Sequence, residues 1–488
     1  MSFHATLEAL KSSQSRVLVV GLGISGIESA KFLATKGLHV AVCERQAEEV
    51  FAQRSKYAAS VGELRKAGVD LHFGIDGEGI APLLRGAGLV VLSPGVPLES
   101  PLVATIIKHN LPFVSELELG IELHGGRSIV VTGSNGKSTT ATLLDHVLHH
   151  AGVHSHLCGN VGTPVIANDE ISDEITGERA VLVVEASSYQ LEACSVLKPC
   201  ISVMLNISEN HLERHGTIER YAAAKARAFA LQDADDYIVA NADDPLVLSQ
   251  ACGARGILAV FGQQPEQDLS KLSKTWAHFT SEPLLRVAID GAREEYDLTT
   301  CHLLGIHNRY NIAAVVLAAR RLGVSPAAVQ KGLESFHPLE HRLEPVSNTS
   351  GFRIFNDSKS TTVAAAVAAF RTIRSHYPTN QIVVMIGGLS KAGSWDPLLA
   401  LLKEHRAALL PIVCFGKDGQ MLASLCDAAD LPTRVEPTLR AATEAGVSMV
   451  RESPDAILVL TPGCASFDEF TDFEHRGAEF KRFVRELC

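Results

Sequence analysis

No stretch of this 488-residue chain approaches the roughly 18 consecutive apolar residues that a membrane-spanning helix needs. The opening MSFHATLEALKSSQSR lacks a basic segment followed by an apolar run, so no secretory leader is expected. Ten cysteines are present but no C-x-x-C pair, and they read as reduced, mostly buried thiols of a cytoplasmic protein. Basic charge is in deficit. Against 55 Asp and Glu stand 44 Lys and Arg, a net charge of −11, which argues against nucleic acid or an anionic membrane as the main partner. Internal repeats are absent as well. What is there is an ordinary globular composition, 46% apolar and 20% charged, on a length that suggests roughly three domains.

Short apolar runs alternate with helical patterns, which predicts an α/β protein with mainly parallel sheets. A first segment holds the strands RVLVV, HVAVCE and GLVVLSPGVP and ends near residue 120. A second starts at SIVVTGSNGKSTT and continues with RAVLVVEASS, CISVMLNIS and DYIVANADDP. The polar stretch at 264–274 interrupts it and reads as a surface loop. An antiparallel hairpin with a D-G turn is expected next, in HFTSEPLLRVAIDGAREEYDLTT. Ser325 is the expected cap of a helix whose first residue is Pro326. A third segment carries the strands FRIFND, QIVVMIGG, PIVCFG and DAILVLTPG. The expected domains are 1–120, 121–337 and 338–488.

Gly21, Gly23 and Gly26 form G-x-G-x-x-G between a strand and a helix, and Glu44 ends the next strand. Glycines there allow close approach of backbone to a diphosphate at a helix N-terminus. Taken alone, the pattern suggests NAD with Glu44 on the ribose, or simply a tight turn. A second loop lacks a glycine. Where G-x-x-x-x-G-K-[ST] would begin stands Val131, and the pattern is shortened to Gly133, Ser134, Asn135, Gly136, Lys137, Ser138 and Thr139. The strand before it and the helix after it suit a phosphate cradle, with Lys137 on the β/γ-phosphates and Ser138 reaching Mg²⁺. Glu185 ends a strand, where an acid is placed to hold Mg²⁺. His211 lies in the polar loop NISENHLERHG after another strand, the edge where ligands gather. Lys225, in the Ala-rich YAAAKARAF, reads from pattern alone as a surface lysine. The histidines at 146, 149, 150, 154 and 156 have no chelating spacing and read as a solvated helix end and turn.

Together these residues resemble the Mur ligase family, the ATP-dependent amide ligases of peptidoglycan synthesis. The resemblance runs over nearly the whole chain. It rests on TGSNGKST, GNVG, EASSYQLE, NISENHLERHG, AAAKARAF, GIHNRYN, HRLE, NDSKST and TPGCASFDEF. FNDSKST and CASFDEF point to the glutamate-adding branch. In this family the shortened phosphate loop is normal. The resemblance implies a Rossmann-like UDP-sugar domain, a central P-loop ATPase-like domain and a Rossmann-like C-terminal domain. The first glycine turn then binds a UDP-sugar instead of NAD, with Ile24, Ser25 and Gly26 near the diphosphate and Ser93, Pro94 and Gly95 facing them. Glu44 is left as a contact on the uridine side. Asn160 and His211 match residues near the substrate and a second metal ion, and Lys225 matches a carbamylated lysine that joins Ser138, Glu185 and His211 around Mg²⁺. Asn308, Asn311, Arg342 and Asp357 match ATP contacts. Lys359, Thr361, Lys391, Ser466 and Phe473 match the surroundings of the incoming D-glutamate, although GGLSKAGSW departs from the family pattern around Lys391.

The implied reaction adds D-glutamate to UDP-N-acetylmuramoyl-L-alanine through an acyl phosphate, with Lys137, His211, Lys225 and Lys359 as catalytic residues. Two Mg²⁺ ions and a monomer working in the cytoplasm are expected. Three α/β domains suit a closing motion that keeps water from the acyl phosphate. Rival readings are a related ligase with another acceptor or with L-glutamate, a P-loop ATPase without ligase activity, and a nucleotide-sensing protein.

Overall fold

Runs such as RVLVV and VLVVE bury both faces, and only a parallel sheet covered by helices on each side accommodates that. The structure is a computed structural model that describes residues 3–53, 55–168, 178–391, 393–453 and 455–488. Two units emerge: Met1–Cys301 with Arg309–Ser335, and His302–Asn308 with Phe336–Cys488. Among the described residues there are three sheets, two in the first unit and one in the second.

The first sheet is built of β1 (Arg16–Val20), β2 (Val40–Glu44), β3 (Asp70–Phe73), β4 (Ala87–Leu92) and β5 (Phe113–Ser115). All pairings are parallel and the order is β3-β2-β1-β4-β5. The strand order reverses between β1 and β4, and ligands bind at such a switch point, beyond the carboxyl ends of the strands. Val17, Val19, Ile27 and Leu33 on one face and Leu18, Val90 and Ile106 on the other fill its core.

The second sheet comprises β6 (Ser128–Thr132), β7 (Ser155–Gly159), β8 (Val181–Glu185), β9 (Ile201–Met204), β10 (Tyr237–Asn241), β11 (Ile257–Gly262), β12 (Trp276–Phe279), β13 (Leu284–Ile289) and β14 (Ala292–Asp297). Their order is β14-β13-β12-β11-β10-β9-β6-β8-β7, parallel up to β12. The expected hairpin is β13–β14, closed by Asp290 and Gly291, both at positive φ as a primed turn requires. The polar stretch at 264–274 is not a loop. Residues Glu266–Leu272 form a helix that buries Leu269 against Trp276 and Ala288, so a single apolar residue docks a polar segment. Ser325 caps the helix Pro326–Ser335 as expected, accepting from the Ala328 amide at 3.3 Å.

Helix Glu116–His124 ties the first two sheets together. Its cap, Ser115, accepts from the Glu118 amide at 3.1 Å, the kind of bond that stabilises a helix start by about 1 kcal/mol. Buried Glu116 accepts from the Ile166 amide at 2.9 Å, and buried Glu118 accepts from the Ser195 and Val196 amides.

The third sheet, in the second unit, has the order β15-β16-β20-β17-β18-β19 and is parallel except for β15. Its strands are β15 (Glu344–Pro345), β16 (Arg353–Asn356), β17 (Ile382–Gly387), β18 (Ile412–Phe415), β19 (Thr433–Glu436) and β20 (Ile457–Gly463). Its candidate residues follow β16, β17 and β20, again at carboxyl ends. No helix among the described residues is long and apolar enough to cross a membrane.

Candidate active site

The glycine turn after β1 meets the loop after β4. The Ser93 hydroxyl donates to Gly21 O at 2.8 Å, and a Cβ on Gly26 would lie 1.9 Å from that same carbonyl. Only glycine permits this approach, so Ile24, Ser25 and Gly26 open helix Ile24–Thr35 directly opposite Ser93. The Glu44 carboxylate accepts from the Leu22 and Gln46 amides at 2.9 and 3.0 Å. These bonds give Glu44 a place in closing the turn.

The shortened phosphate loop joins β6 to helix Lys137–His150, whose dipole favours an anion at its start. Gly136 has φ +85°, and a Cβ there would lie 2.4 Å from Asn311 Oδ1. Thus Asn311, from the distant HNRYN segment, lies over the loop and requires the glycine. Lys137 Nζ donates to Gly133 O and Ser134 O, both at 3.0 Å. Asn206 braces the loop from the side: its Oδ1 accepts from the Asn135 amide at 2.8 Å and its Nδ2 donates to Asn135 O at 3.1 Å. Ser138 and Thr139 begin the helix, with Thr139 buried.

Beside the loop, Glu185 ends β8 and is 1% exposed. Its Oε1 accepts from Asn160 Nδ2 at 2.9 Å, and its buried Oε2 has no hydrogen-bond partner among the described residues. Lys225 is not the surface lysine that its helix pattern suggests. It is 1% exposed, because its helix packs behind the phosphate loop, and its Nζ donates to Gly133 O at 2.8 Å. Burial, reinforced by the Lys137 ammonium and opposed by Glu185, pushes its pKa down to about 6. Tyr221 covers it, with Nζ 4.7 Å from the ring centroid, and the Ser134 hydroxyl donates to the Tyr221 hydroxyl at 3.2 Å.

His211 caps the one-turn helix Leu212–His215 with φ +54°. Its Nδ1 lies 3.0 Å from the Tyr189 hydroxyl and 3.4 Å from Glu213 Oε1. Tyr189 is held by a capping box in which Ser187 and Gln190 satisfy each other's backbone and side chain. Among the described residues no three His, Cys, Asp or Glu side chains converge on a ready-made metal site. The donors around the loop still fit Mg²⁺, a cation that takes oxygen and binds through few protein ligands. They are the Ser138 hydroxyl, the unpartnered Glu185 Oε2 and, were the Lys225 amine carbamylated, its new oxygens. Of the histidine cluster, His149 and His150 are exposed as expected. His146, His154 and His156 are half-buried, and His146 and His150 both approach the Ser335 hydroxyl, at 2.9 and 3.0 Å.

In the second unit, Asp357 follows β16. It accepts from the Leu343 amide at 3.1 Å and the Thr461 hydroxyl at 3.2 Å, and burial pushes its pKa up to about 7. Arg342 stands beside it as the positive charge that opposes this shift. Lys359 lies 4.9 Å from the Phe473 ring centroid, and Thr361 donates its amide to Lys359 O at 2.8 Å. Ser466 is buried in the loop after β20. That loop is paired with the one after β17, for Leu389 and Ala465 exchange both backbone bonds at 2.9 Å. Lys391 stands exposed at the end of the paired loop. Asn308 is held to Leu304 O at 2.7 Å.

Several residues of these sites are invisible to local pattern. Arg476 is 0% exposed and bonds Ser358 Oγ, Ser358 O and Cys464 O at 3.0, 2.8 and 3.1 Å, tying together the loops after β16 and β20. Tyr221 and Arg214 are of the same kind. Asn206 carried a signal, since it stands next but one after a parallel strand.

Comparison with known proteins covers nearly the whole chain. The Mur ligase MurD-like N-terminal domain matches residues 15–115, the Mur ligase middle domain 131–319, and the Mur ligase glutamate ligase domain 341–463. A UDP-N-acetylmuramoylalanine--D-glutamate ligase of Acidobacterium capsulatum is 35% identical over 473 residues, covering 96% of each chain. The protein of the same name from Anaeromyxobacter dehalogenans is 36% identical, covering 97% of this chain and 98% of the relative. Among solved structures, UDP-N-acetylmuramate-alanine ligase MurC from Thermotoga maritima matches with a TM-score of 0.55 at 17% identity, covering 96% of this chain and 98% of its own. MurF from Acinetobacter baumannii matches at 0.56 and 17%, covering 83% and 88%. Those structural likenesses speak to the fold alone.

Proposed function

Because this chain belongs to the Mur ligase family, we propose that it joins D-glutamate to UDP-N-acetylmuramoyl-L-alanine with cleavage of ATP to ADP and phosphate. It is a carbon–nitrogen ligase of peptidoglycan precursor synthesis, and through that route serves cell-wall biogenesis, cell shape and division. The observation that carries the reading is the grouping of Lys137, Glu185 with Asn160, and buried Lys225 around one phosphate loop, in a chain with a second diphosphate turn at Gly21–Gly26. In this reading it acts as a monomer in the cytoplasm. Residues 1–120 hold the UDP-sugar, 121–337 ATP, and 338–488 the amino acid.

A carboxylate does not condense with an amine in water without activation. Here a carboxylate oxygen of the alanyl group attacks the γ-phosphorus of ATP, and the bond to ADP breaks. Lys137 holds the β/γ-phosphates, and the glycine loop orients them along the helix start. Asn308, Asn311, Arg342 and Asp357 hold ATP; Ile24–Gly26, Ser93–Gly95 and Asn160 hold the UDP substrate. When bound, two Mg²⁺ ions held by Ser138, Glu185, His211 and carbamylated Lys225 offset the negative charge of phosphates and carboxylate. The neutral Lys225 amine takes up CO₂ and loses a proton, giving the carbamate. The amine of D-glutamate then attacks the acyl carbon, the bond to phosphate breaks, and the amine gives up a proton. Lys359, Thr361, Lys391, Ser466 and Phe473 orient the glutamate, and Lys359 stabilises the negative oxygens.

ADP formation measured with each substrate omitted in turn tests this reading. It should require both UDP-N-acetylmuramoyl-L-alanine and D-glutamate. Comparable ADP release without either would refute it.

A further inference from the structure

One guanidinium in the first unit joins two of the loops described above. Arg214 lies three residues after His211, on the one-turn helix that His211 caps. Its Nη2 donates to Val96 O at 2.9 Å and to Pro94 O at 3.4 Å, and its Nη1 to Gly95 O at 3.5 Å. Three consecutive carbonyls of the loop after β4 thus converge on a single side chain. On its other edge, Nε donates to Glu192 Oε2 at 3.0 Å, and the guanidinium lies 4.8 Å from the Tyr189 ring centroid. Tyr189 in turn bonds His211, and Glu192 ends the EASSYQLE segment that Glu185 begins. The Arg214 side chain is only 11% exposed and that of Glu192 16%, so solvent screens the pair weakly. A planar fork with five N–H donors suits such a junction, and a lysine does not.

From this geometry we propose that Arg214 is a positioning residue: it fixes the Ser93–Val96 loop against the His211 loop, and so sets where the UDP substrate's carboxylate arrives relative to the ATP phosphates. The inference rests on the ligase reading, which gives the first loop to the UDP-sugar and the second to the phosphate end. A misplacement of about 1 Å at reacting atoms costs on the order of 100-fold in rate. The Arg214 guanidinium is engaged by Glu192 and by the carbonyls of Pro94, Gly95 and Val96, away from the phosphate loop's own bonds, so the loss should fall on kcat and on the KM for the UDP substrate while leaving ATP binding alone.

The test uses the full chain with Mg²⁺ and bicarbonate. Arg214→Gln, Arg214→Lys and Glu192→Gln are compared with wild type for kcat, for KM of each substrate, and for equilibrium binding of ATP. Arg214→Gln should lower kcat about 100-fold, and Arg214→Lys and Glu192→Gln about tenfold, with ATP affinity within about twofold of wild type. ATP binding serves as the measure of an intact fold, and Glu192→Gln, a neutral isostere, carries the test if the Arg214 variants fail to bind ATP. An ATP-binding Arg214→Gln or Glu192→Gln enzyme with kcat and KM unchanged would overturn the inference. Failure of the ligase reading looks different: wild type itself would then release ADP without the UDP substrate or D-glutamate.

Discussion

Lys225 is a buried amine with a second lysine nearby, and burial of its charge is disfavoured from two sides. Its pKa stands at about 6, against 10.5 for a free lysine side chain. Between those values the unfolded chain binds one more proton than the native one. Wild-type stability in CO₂-depleted buffer therefore rises as pH climbs through that window, and falls as pH drops towards 6. Lys225→Met should remove this slope and stabilise the protein at pH 7.5 by on the order of 1–3 kcal/mol, as read from denaturant unfolding. In the same account the side chain is needed for catalysis. Lys225→Ala should lose at least about 100-fold in kcat, and added acetate should partly restore it by supplying the missing carboxylate oxygens. An unchanged pH slope in the Met variant, or near-normal kcat in the Ala variant without acetate, would contradict the assignment. The burial of Lys225 was not legible in YAAAKARAF, because it is created by the phosphate loop packing on it from residues 132–134. Arg476 and Arg214 were missed for the same reason, since their partners are carbonyls and hydroxyls distant in sequence. Lys137 and Ser138 were readable because their chemistry is spelled out in consecutive residues.

At the scale of elements, the sites sit on turns where backbone approaches backbone, and glycine decides which turns can exist. Gly26 is the clearest case, with Gly21 O 1.9 Å from where a Cβ would stand. Gly26→Ala must push helix Ile24–Thr35 away from the Gly21 carbonyl and the Ser93 side chain. It should raise the KM for the UDP substrate at least about tenfold while ATP affinity stays within about twofold, since the phosphate loop lies on another sheet. Equal losses for both nucleotides would mean general unfolding and would contradict the assignment of the turn. The element pattern itself was largely readable. Strands with both faces apolar and a D-G turn are strong local signals, and β1, β6, β8 and the β13–β14 hairpin follow from them. Weaker strands were not read: β3 and β19 are short and largely uncovered, and β7 carries the mixed sequence SHLCG. The Glu266–Leu272 helix hid behind its polarity, for only Leu269 is buried.

For the whole molecule, two glycine turns stand on separate sheets of one unit and the residues proposed for the amino acid on the sheet of the second, and the proposed function has them serve one reaction. The three family domains match in the order N-terminal, middle and glutamate ligase along the chain. The central claim is chemical: ATP is spent on activating a carboxylate, and water has no part in it. That is tested most directly with UDP-N-acetylmuramoyl-L-alanine carrying ¹⁸O in its alanyl carboxylate, by mass analysis of the phosphate released during turnover with D-glutamate and ATP. The account predicts one ¹⁸O in each phosphate for every amide bond formed, because the carboxylate oxygen that attacks the γ-phosphorus leaves with it. Unlabelled phosphate accompanying amide formation would contradict it.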